Sequence, residues 1–300
     1  MSSRRMSTAS RRTAGAALCE SERVKLQASL EAHGWDGAWY RRAYFDDGSP
    51  LGSAGNAECQ IDSIAQSWSV LSGAANPDRA RQAMDAMHAR LVHPGQRLVQ
   101  LLDPPFDQKG PNPGYIAGYV PGVRENGGQY THSAIWAAMA FAALGDGERA
   151  WSVLDIINPV RHVATPEGTA RYKAEPYVVA ADVYSVAPHG GRGGWSWYTG
   201  SAGWMYRLIV ESMLGLRLEA SDGVVHLVIA PCLHAGWPGY SVEYRYRNTL
   251  YRIEVTQSAD VEGRIEVEVE VDGVAQAGAR VALRDDSTAH EVSVRCRRPD

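Results

Sequence analysis

The spacing of apolar residues changes near residue 220, and this change limits which folds the chain can adopt. Before it, apolar residues recur at helical spacing in segments that long Gly- and Pro-rich loops separate. After it, short segments alternate apolar and polar residues, as strands with one buried face do. The sequence therefore predicts a mainly α part over residues 23–218, a small β-sandwich over residues 219–300, and a disordered tail over residues 1–22, which begin Arg- and Ser-rich.

Five segments before residue 220 carry helix signals. In NPDRARQAMDAMHARLV, Asn76 is the predicted N-cap and Pro77 the first helical residue, and an apolar stripe follows. HSAIWAAMAFAALG is apolar nearly all round and ends at Gly145, which predicts a helix buried on most sides. The other three are DSIAQSWSVLSG, GERAWSVLDIINP and GSAGWMYRLIVESMLGL. Ahead of them, WYRRAYFDDGSPLG predicts a hairpin that turns at Asp47-Gly48.

The number of helices bears on the architecture of the first part. Antiparallel helix pairs with long functional loops indicate a helical toroid, and a closed barrel of six pairs needs about twelve helices of about 11–12 residues each. Residues 23–216 supply roughly half of that length. We therefore expect a mainly α plus β chain that forms the C-terminal portion of an (α/α)6 toroid followed by a small β-sandwich.

Composition excludes several classes of function. The chain has 34 acidic and 30 basic residues, a net charge of -4, which argues against a nucleic-acid partner. Its four cysteines show no metal-binding spacing and suit reduced thiols in the cytoplasm, so we expect no metal and no cofactor. No apolar run approaches the roughly 20 residues of a membrane span, so we expect no membrane insertion. The 14 Tyr and 9 Trp against 3 Phe fit either sugar stacking or cores with satisfied polar ring tips.

Loop one, residues 104–132, reads PPFDQKGPNPGYIAGYVPGVRENGGQYTH and has too little periodicity for a plain connection. Gly127-Gly128 permits close backbone approach. Arg124 and Glu125 are adjacent, so in an extended segment they point in opposite directions, and one can serve a ligand while the scaffold holds the other. The alternative is a structural Arg–Glu network with His132 in the core.

Loop two, residues 171–204, reads RYKAEPYVVAADVYSVAPHGGRGGWSWYTGSAGW. It places Thr199-Gly200 at the start of a helix, where a hydroxyl and free backbone N–H groups suit a phosphate-like anion. Thr is also an ordinary N-cap, so this signal alone is weak. Together with tryptophans nearby and a second anion donor in loop one, it predicts an anion bound beside a sugar.

Both loops resemble the glycoside hydrolase family 94 phosphorylases, the cellobiose and chitobiose phosphorylase group. The resemblance is nearest to the C-terminal phosphorylase-like module of cyclic β-1,2-glucan synthases. It covers roughly residues 33–256 in family order. The stretches that carry it are GWDGAWYRRAYFDDGSPLGS, QSWSVLSG, LLDPPF, PGVRENGGQYTHSAIW, YKAEPYVVAADVYSVAPHGGRGGWSWYTGSAGWMYR and APCLHAGWPGYSVEYRY.

The resemblance implies inverting phosphorolysis of a β-glucosidic bond, with a β-linked gluco-oligosaccharide as partner and inorganic phosphate as co-substrate. Phosphate attacks the anomeric carbon while one carboxylic acid protonates the leaving oxygen. Carried over by position, the implied phosphate-binding residues are His132, Thr199 and Gly200. The implied sugar-binding residues are Glu125, Arg124, Tyr130, Asp182 and Trp197.

One family element is absent from the sequence. The general acid of the family is an aspartate in an Asp-Trp-Asn-Asp type motif upstream of GWDGAWY, and no such motif occurs here. The sequence therefore predicts no catalytic acid in this chain, a fragment whose barrel an upstream polypeptide could complete, and a cytoplasmic location, although the parent enzyme type associates with the inner membrane. Two alternatives stay open: a local acid, Glu125 ahead of Asp46 or Asp47, or a non-catalytic glucan-binding or assembly module.

Overall fold

The computed structural model describes residues 8–107, 110–197, 199–221, 223–258 and 266–297. Helices dominate the first part of the chain, and π-helical turns follow the first and the last of them at Leu30–Gly34 and Leu208–Met213. Short 3-10 turns occur at Pro94–Gln96 and Gly114–Gly118. The helices are α1 (Thr8–Ser29), α2 (Ser63–Leu71), α3 (Pro77–Leu91), α4 (Thr131–Ala143), α5 (Gly147–Ile157), α6 (Pro159–His162), α7 (Pro166–Tyr172) and α8 (Thr199–Arg207).

Strands of two residues join the loops of the helical part, and longer strands form the C-terminal part. The short strands are β1 (Ala43–Tyr44), β2 (Pro50–Leu51), β3 (Ile61–Asp62), β4 (Val92–His93), β5 (Leu98–Val99), β6 (Leu102–Asp103), β7 (Gln129–Tyr130), β8 (Asp182–Val183) and β9 (Gly193–Gly194). The C-terminal strands are β10 (Leu216–Ser221), β11 (Val224–Ile229), β12 (Gly239–Tyr246), β13 (Thr249–Gln257), β14 (Glu266–Val271), β15 (Val274–Ala275), β16 (Arg280–Ala282) and β17 (Ala289–Arg297).

Helix α4 lies at the centre of the helical part and packs against α2, α5 and α8. The predicted caps are present: the Asn76 side chain accepts hydrogen bonds from the first turn of α3, and Gly145 ends α4 with a φ of 77°. The predicted stripe of α3, from Ala80 to Leu91, is buried. Because α4 is apolar on nearly every side, it must be surrounded by other helices to be buried. Loop one leads directly into α4 and therefore ends at the core of the helical part.

The C-terminal strands form two sheets over one apolar core, as their alternating pattern predicts. One sheet has the order β10-β11-β16 and the other β12-β13-β17-β14-β15. Leu227 of the first sheet and Ile253 and Val294 of the second belong to the same buried cluster. Strand β14 alternates Glu with Val, and its Glu268 pairs with Arg297 on the exposed face.

The N-terminal segment differs from the prediction of a disordered tail over residues 1–22. Thr8–Ser29 forms one helix, and residues 1–7 lie outside the described residues. Ion pairs one turn apart, Arg23 with Glu20 and Lys25 with Glu22, support the helix on its exposed surface. None of the described helices is both long and apolar enough to traverse a bilayer.

Candidate functional site

A three-stranded sheet joins loop one to loop two. β7 pairs antiparallel with β8, and β8 pairs antiparallel with β9, so Asp182 lies between Tyr130 and Gly194 in register. The Thr131 backbone N–H donates to the Ala181 carbonyl at 2.8 Å and extends the connection toward α4. The pairing brings together the two loops that the sequence singles out.

Asn126 fixes the shape of loop one. Its side chain is fully buried, accepts a hydrogen bond from the Phe106 backbone N–H at 2.7 Å and donates to the carbonyls of Phe106 at 2.9 Å and Tyr119 at 2.8 Å. These bonds tie two other segments of the loop, at Phe106 and at Tyr119, to one amide. The sequence alone does not single out Asn126, because an Asn between Glu and Gly fits a solvent-facing turn equally well.

Asn126→Ala is expected to loosen loop one and lower the free energy of unfolding by about 2 kcal/mol, since three hydrogen bonds to buried backbone groups are lost. Hydrogen exchange of residues 104–126 measures the local effect, and urea denaturation measures the global one. Asn112→Ala is the matched control, because Asn112 accepts one exposed hydrogen bond from Gly114. Equal exchange rates in the two variants would show that Asn126 does not hold the loop.

Arg124 and Glu125 do not point in opposite directions, so that sequence expectation is wrong. Arg124 has a left-handed backbone with a φ of 50°, and this turn brings its Nε to 3.4 Å from the carboxylate of Glu125. The Arg124 guanidinium also lies over the rings of Tyr119 at 5.5 Å and Trp195 at 5.6 Å. Arg124 therefore connects loop one, through Trp195, to loop two.

Asp182 is a fully buried carboxylate, and neither oxygen has a hydrogen-bond partner within the described part of the chain. Gly194 covers it closely, since a Cβ at Gly194 would lie 2.7 Å from Oδ1. Burial raises the pKa of Asp182 to about 6, although the charge and the backbone N–H of the nearby Arg124 both lower it. Since buried polar groups in native proteins nearly always have partners, this carboxylate has unused capacity to accept hydrogen bonds.

His132, Thr199 and Gly200 come together where α4 and α8 begin. His132 lies in the first turn of α4, and Thr199 and Gly200 are the first two residues of α8. A Cβ at Gly200 would lie only 2.8 Å from His132 Nε2. The bare backbone of Gly200 thus lets the imidazole reach the positive end of the α8 dipole, which is the environment an anion prefers.

Burial lowers the pKa of His132, and its Nδ1 has no hydrogen-bond partner in the described ranges. Tyr130 stacks on the imidazole with ring centroids 5.1 Å apart, and Trp136 meets its edge at 6.1 Å. Burial also raises the pKa of Tyr130. These aromatic neighbours hold the ring in one orientation without supplying charge, so a bound anion would be its electrostatic partner.

Trp197 stands apart from the other predicted site residues. It is 67% exposed and contacts Tyr177, itself 75% exposed, with ring centroids 6.1 Å apart. The backbones of Trp195 and Trp197 are both left-handed, with φ of 44° and 69°. Bulky residues adopt this conformation at a cost, and such outliers cluster at ligand-binding sites.

The sequence signal that could have identified Tyr119 and Tyr177 is the density of tyrosines in both loops. Neither was selected, because their spacing has no period and does not tell which rings stay exposed. No group of three or more metal-ligating side chains occurs within the described ranges.

Comparison with known proteins gives a consistent result. The sequence profile of the glycosyl hydrolase 94 superfamily, catalytic domain, matches residues 4–215. The chain is 51% identical over 243 residues to the cyclic beta-(1,2)-glucan synthase NdvB of Rhizobium meliloti (strain 1021), which covers 81% of this chain and 8% of that protein.

Two phosphorylases are more distant relatives. The solabiose phosphorylase of Paenibacillus borealis is 31% identical over 272 residues, 90% of this chain and 34% of that enzyme. The N,N'-diacetylchitobiose phosphorylase of Vibrio proteolyticus is 31% identical over 235 residues, 77% of this chain and 28% of that enzyme. The chain thus spans about a third of the length of each phosphorylase.

Proposed function

The chain belongs to the glycosyl hydrolase 94 superfamily, and from this premise we propose that loops one and two bind inorganic phosphate beside a β-linked gluco-oligosaccharide. The observation that carries the proposal is the contact between His132 and the bare backbone of Gly200 at the start of α8. The phosphorylase relatives support phosphate and β-glucosides as substrates.

In the proposed phosphate site, His132, the Thr199 hydroxyl and the first N–H groups of α8 surround the anion. An imidazole beside an anion gains from protonation, so bound phosphate offsets the burial that lowers the pKa of His132. Backbone N–H groups add fixed partial charges that need no reorganisation when the anion arrives.

In the proposed sugar site, Asp182 accepts a hydrogen bond from a sugar hydroxyl, and Arg124, Glu125 and Tyr130 line the ring beside it. The left-handed Trp197 and its neighbour Tyr177 extend the surface outward, where exposed rings can stack on further sugar units. Sugar rings carry hydroxyls at their rims and C–H groups on their faces, so a mixed aromatic and charged surface suits them.

We propose that the reaction is inverting phosphorolysis. A phosphate oxygen attacks the anomeric carbon, the glycosidic C–O bond breaks with its electron pair going to the leaving oxygen, and a carboxylic acid gives that oxygen a proton. The products are glucose 1-phosphate and a glucan one unit shorter. The chain has no Asp-Trp-Asn-Asp type motif, so in this proposal the acid comes from a segment beyond these 300 residues. Helices α2–α5 and α8 would then form part of an (α/α)6 toroid that this segment completes. A cytoplasmic location remains a prediction.

Gly200→Ala tests the phosphate site. The new Cβ would lie 2.8 Å from His132 Nε2, so we expect inorganic phosphate to bind at least about tenfold more weakly, which corresponds to about 1.4 kcal/mol. Titration calorimetry with phosphate measures the affinity. Gly203→Ala in the same helix is the control, because a Cβ there meets nothing within 4 Å. Equal phosphate affinity for wild type and the Gly200 variant would refute the site.

Release of glucose 1-phosphate from β-1,2-gluco-oligosaccharides plus phosphate tests the reaction. We expect binding but no release from the chain alone, and release when the segment that precedes the matched region in the Rhizobium meliloti relative is added. Release from the chain alone that His132→Ala abolishes would place an acid within these residues. Glucan binding without release under either condition would support the non-catalytic binding module instead.

A further inference from the structure

A second cavity lies away from the proposed phosphate and sugar sites, where α5, α6 and α7 meet the turn that carries Arg97. It is open to solvent and has a volume of about 470 Å³, which is within the range of small-molecule sites. Its walls carry the charged and titratable side chains Arg97, Asp155, Arg161, His162, Glu167 and Arg171.

Positive charge exceeds negative charge around this cavity. Asp155 pairs with two guanidinium groups at once, those of Arg97 at 3.1 Å and Arg161 at 2.7 Å. Arg171 forms no ion pair with any described carboxylate. The Nε of Arg97 is buried and, in the part of the chain that the structure describes, has no hydrogen-bond partner. The guanidinium groups therefore keep donors to offer to an anion.

His162 adds a group of a different kind. It is only 6% exposed, lines the cavity, and its Nε2 has no hydrogen-bond partner among the described residues. Burial lowers the pKa of His162 to about 4, although the nearby Ile156 carbonyl partly offsets this, so the ring is neutral near pH 7. A neutral imidazole has one N–H, and the Ile156 carbonyl favours the tautomer whose N–H faces it. In that tautomer Nε2, which has no partner among the described residues, can accept a hydrogen bond from a ligand.

We propose that this cavity binds a small hydroxylated anion of the sugar phosphate class. Its phosphate oxygens accept hydrogen bonds from Arg97, Arg161 and Arg171, and one of its hydroxyls donates to His162 Nε2. Neither a bare sugar nor a fully deprotonated anion such as sulfate supplies both features. The site uses none of the residues of the proposed phosphate and sugar sites, so it can be tested independently of the proposed function.

Loop two begins at the cavity, since Arg171 lines it and Tyr172 follows. Tyr172 stacks on His162 with ring centroids 4.4 Å apart, and a Cβ at Gly193 would lie 3.0 Å from the Tyr172 ring. A Cβ at Gly191 would lie 2.7 Å from Cδ of Arg171. A ligand that draws Arg171 toward the cavity therefore changes the packing under the segment that leads to Trp195 and Thr199.

Titration calorimetry of the 300-residue chain with glucose 6-phosphate tests the proposal, with glucose and sulfate as comparison ligands. We expect saturable binding of glucose 6-phosphate and at least tenfold weaker binding by the double variant Arg161→Gln/Arg171→Gln. Both arginines are exposed, so the variant should fold. Arg217→Gln/Arg245→Gln removes two exposed arginines from the C-terminal strands and is the matched control, expected to bind like wild type.

Two further variants separate this site from the proposed phosphate site. His162→Phe keeps a ring against Tyr172 but removes Nε2, and we expect it to weaken glucose 6-phosphate at least tenfold. His132→Ala removes binding at the proposed phosphate site, and in that background we expect the affinity of this cavity for glucose 6-phosphate to be unchanged. Binding that His132→Ala abolishes, or that the Arg161/Arg171 variant retains, would overturn the proposal, as would sulfate or glucose binding as tightly as glucose 6-phosphate.

Discussion

Asp182→Asn is expected to make the chain more stable at pH 8 and, at the same time, to weaken its binding of β-linked gluco-oligosaccharides. Asp182 is buried without a hydrogen-bond partner among the described residues, so its ionised form destabilises the folded state. The neutral amide of Asn removes that charge while it keeps the size of the side chain. The two effects have opposite signs because the same unpaired carboxylate that costs stability is, in the proposed function, the acceptor for a sugar hydroxyl.

The pH dependence fixes the sign of the stability effect. Folding raises the pKa of Asp182 from 3.8 to about 6, chiefly through burial. When folding raises a pKa, the protonated group stabilises the folded state. This stability is fully present below the pKa of the unfolded state and is lost as pH rises through the pKa of the folded state. Above pH 6 the wild type therefore carries a penalty of at most about 3 kcal/mol, at about 1.4 kcal/mol per pKa unit. At pH 4 the penalty falls to about 0.5 kcal/mol.

Urea denaturation at pH 8 and pH 4 measures this difference, and titration calorimetry with a β-1,2-gluco-oligosaccharide measures binding. We expect affinity to fall about tenfold or more, as for the loss of a hydrogen bond to a charged group. Asp46→Asn, in an exposed turn, is the control and should change stability by less than about 0.5 kcal/mol. A variant that is less stable than wild type at pH 8 would show that the carboxylate has a structural role, and the sugar-site assignment would fail with it.

The helices were predictable because their signals are local. Asn76 caps α3, and Gly145 lies just beyond α4 where a left-handed residue is needed, and each signal depends only on residues within a turn or two. The same holds for the alternation in β14 and its neighbours. Such patterns fix which residues face inward before any tertiary contact forms.

The geometry of the candidate site was less predictable, because it depends on contacts between residues far apart in sequence. The left-handed backbone of Arg124 turns its side chain onto Glu125, and nothing in an Arg-Glu dipeptide predicts that conformation. Asn126 holds loop one by bonds to Phe106 and Tyr119, which only the folded loop brings within reach. The family resemblance identifies the candidate site residues. The pairing of β7, β8 and β9 determines how loops one and two are placed relative to each other.

At the N-terminal helix, a local sequence signal itself gave the wrong prediction. Its Arg- and Ser-rich start predicts disorder, yet Thr8–Ser29 is helical. Alanines and good helix formers such as Leu, Glu and Lys become frequent from Ala14 onward, and ion pairs one turn apart add a few tenths of a kcal/mol each. The Arg- and Ser-rich composition at the start of this segment therefore predicts its structure less well than the helix propensity of the residues in its middle.

Asp62→Ala is expected to lower the free energy of unfolding by about 3–5 kcal/mol, the largest loss that we expect from one substitution in the scaffold of the site. Asp62 is fully buried and has two tasks. Its carboxylate accepts hydrogen bonds from the Ile64 and Ala65 N–H groups at the start of α2, and it pairs with Arg42. Alanine removes both and leaves the Arg42 guanidinium, 27% exposed, without its partner.

The position of Asp62 connects this loss to loop one. Asp62 belongs to β3, which pairs with β6, and β6 leads directly into loop one. The Cys59 N–H donates to the Pro104 carbonyl at 2.7 Å, at the first residue of the loop. Destabilisation at Asp62 should therefore reach the entry of loop one before it reaches the C-terminal sheets, which hydrogen exchange can resolve by segment.

Two companion variants separate the tasks of Asp62. Asp62→Asn can still cap α2, because Asn caps as well as Asp, so the difference between the Ala and Asn variants should be about 1 kcal/mol. Arg42→Met in the Asn background removes the unpaired charge, and we expect it to recover part of the lost stability, since apolar replacement of a buried ion pair is often tolerated. Urea denaturation gives all three values. If Arg42→Met lowers stability further, Arg42 contributes through contacts other than Asp62, and the loss in Asp62→Ala arises from the helix cap.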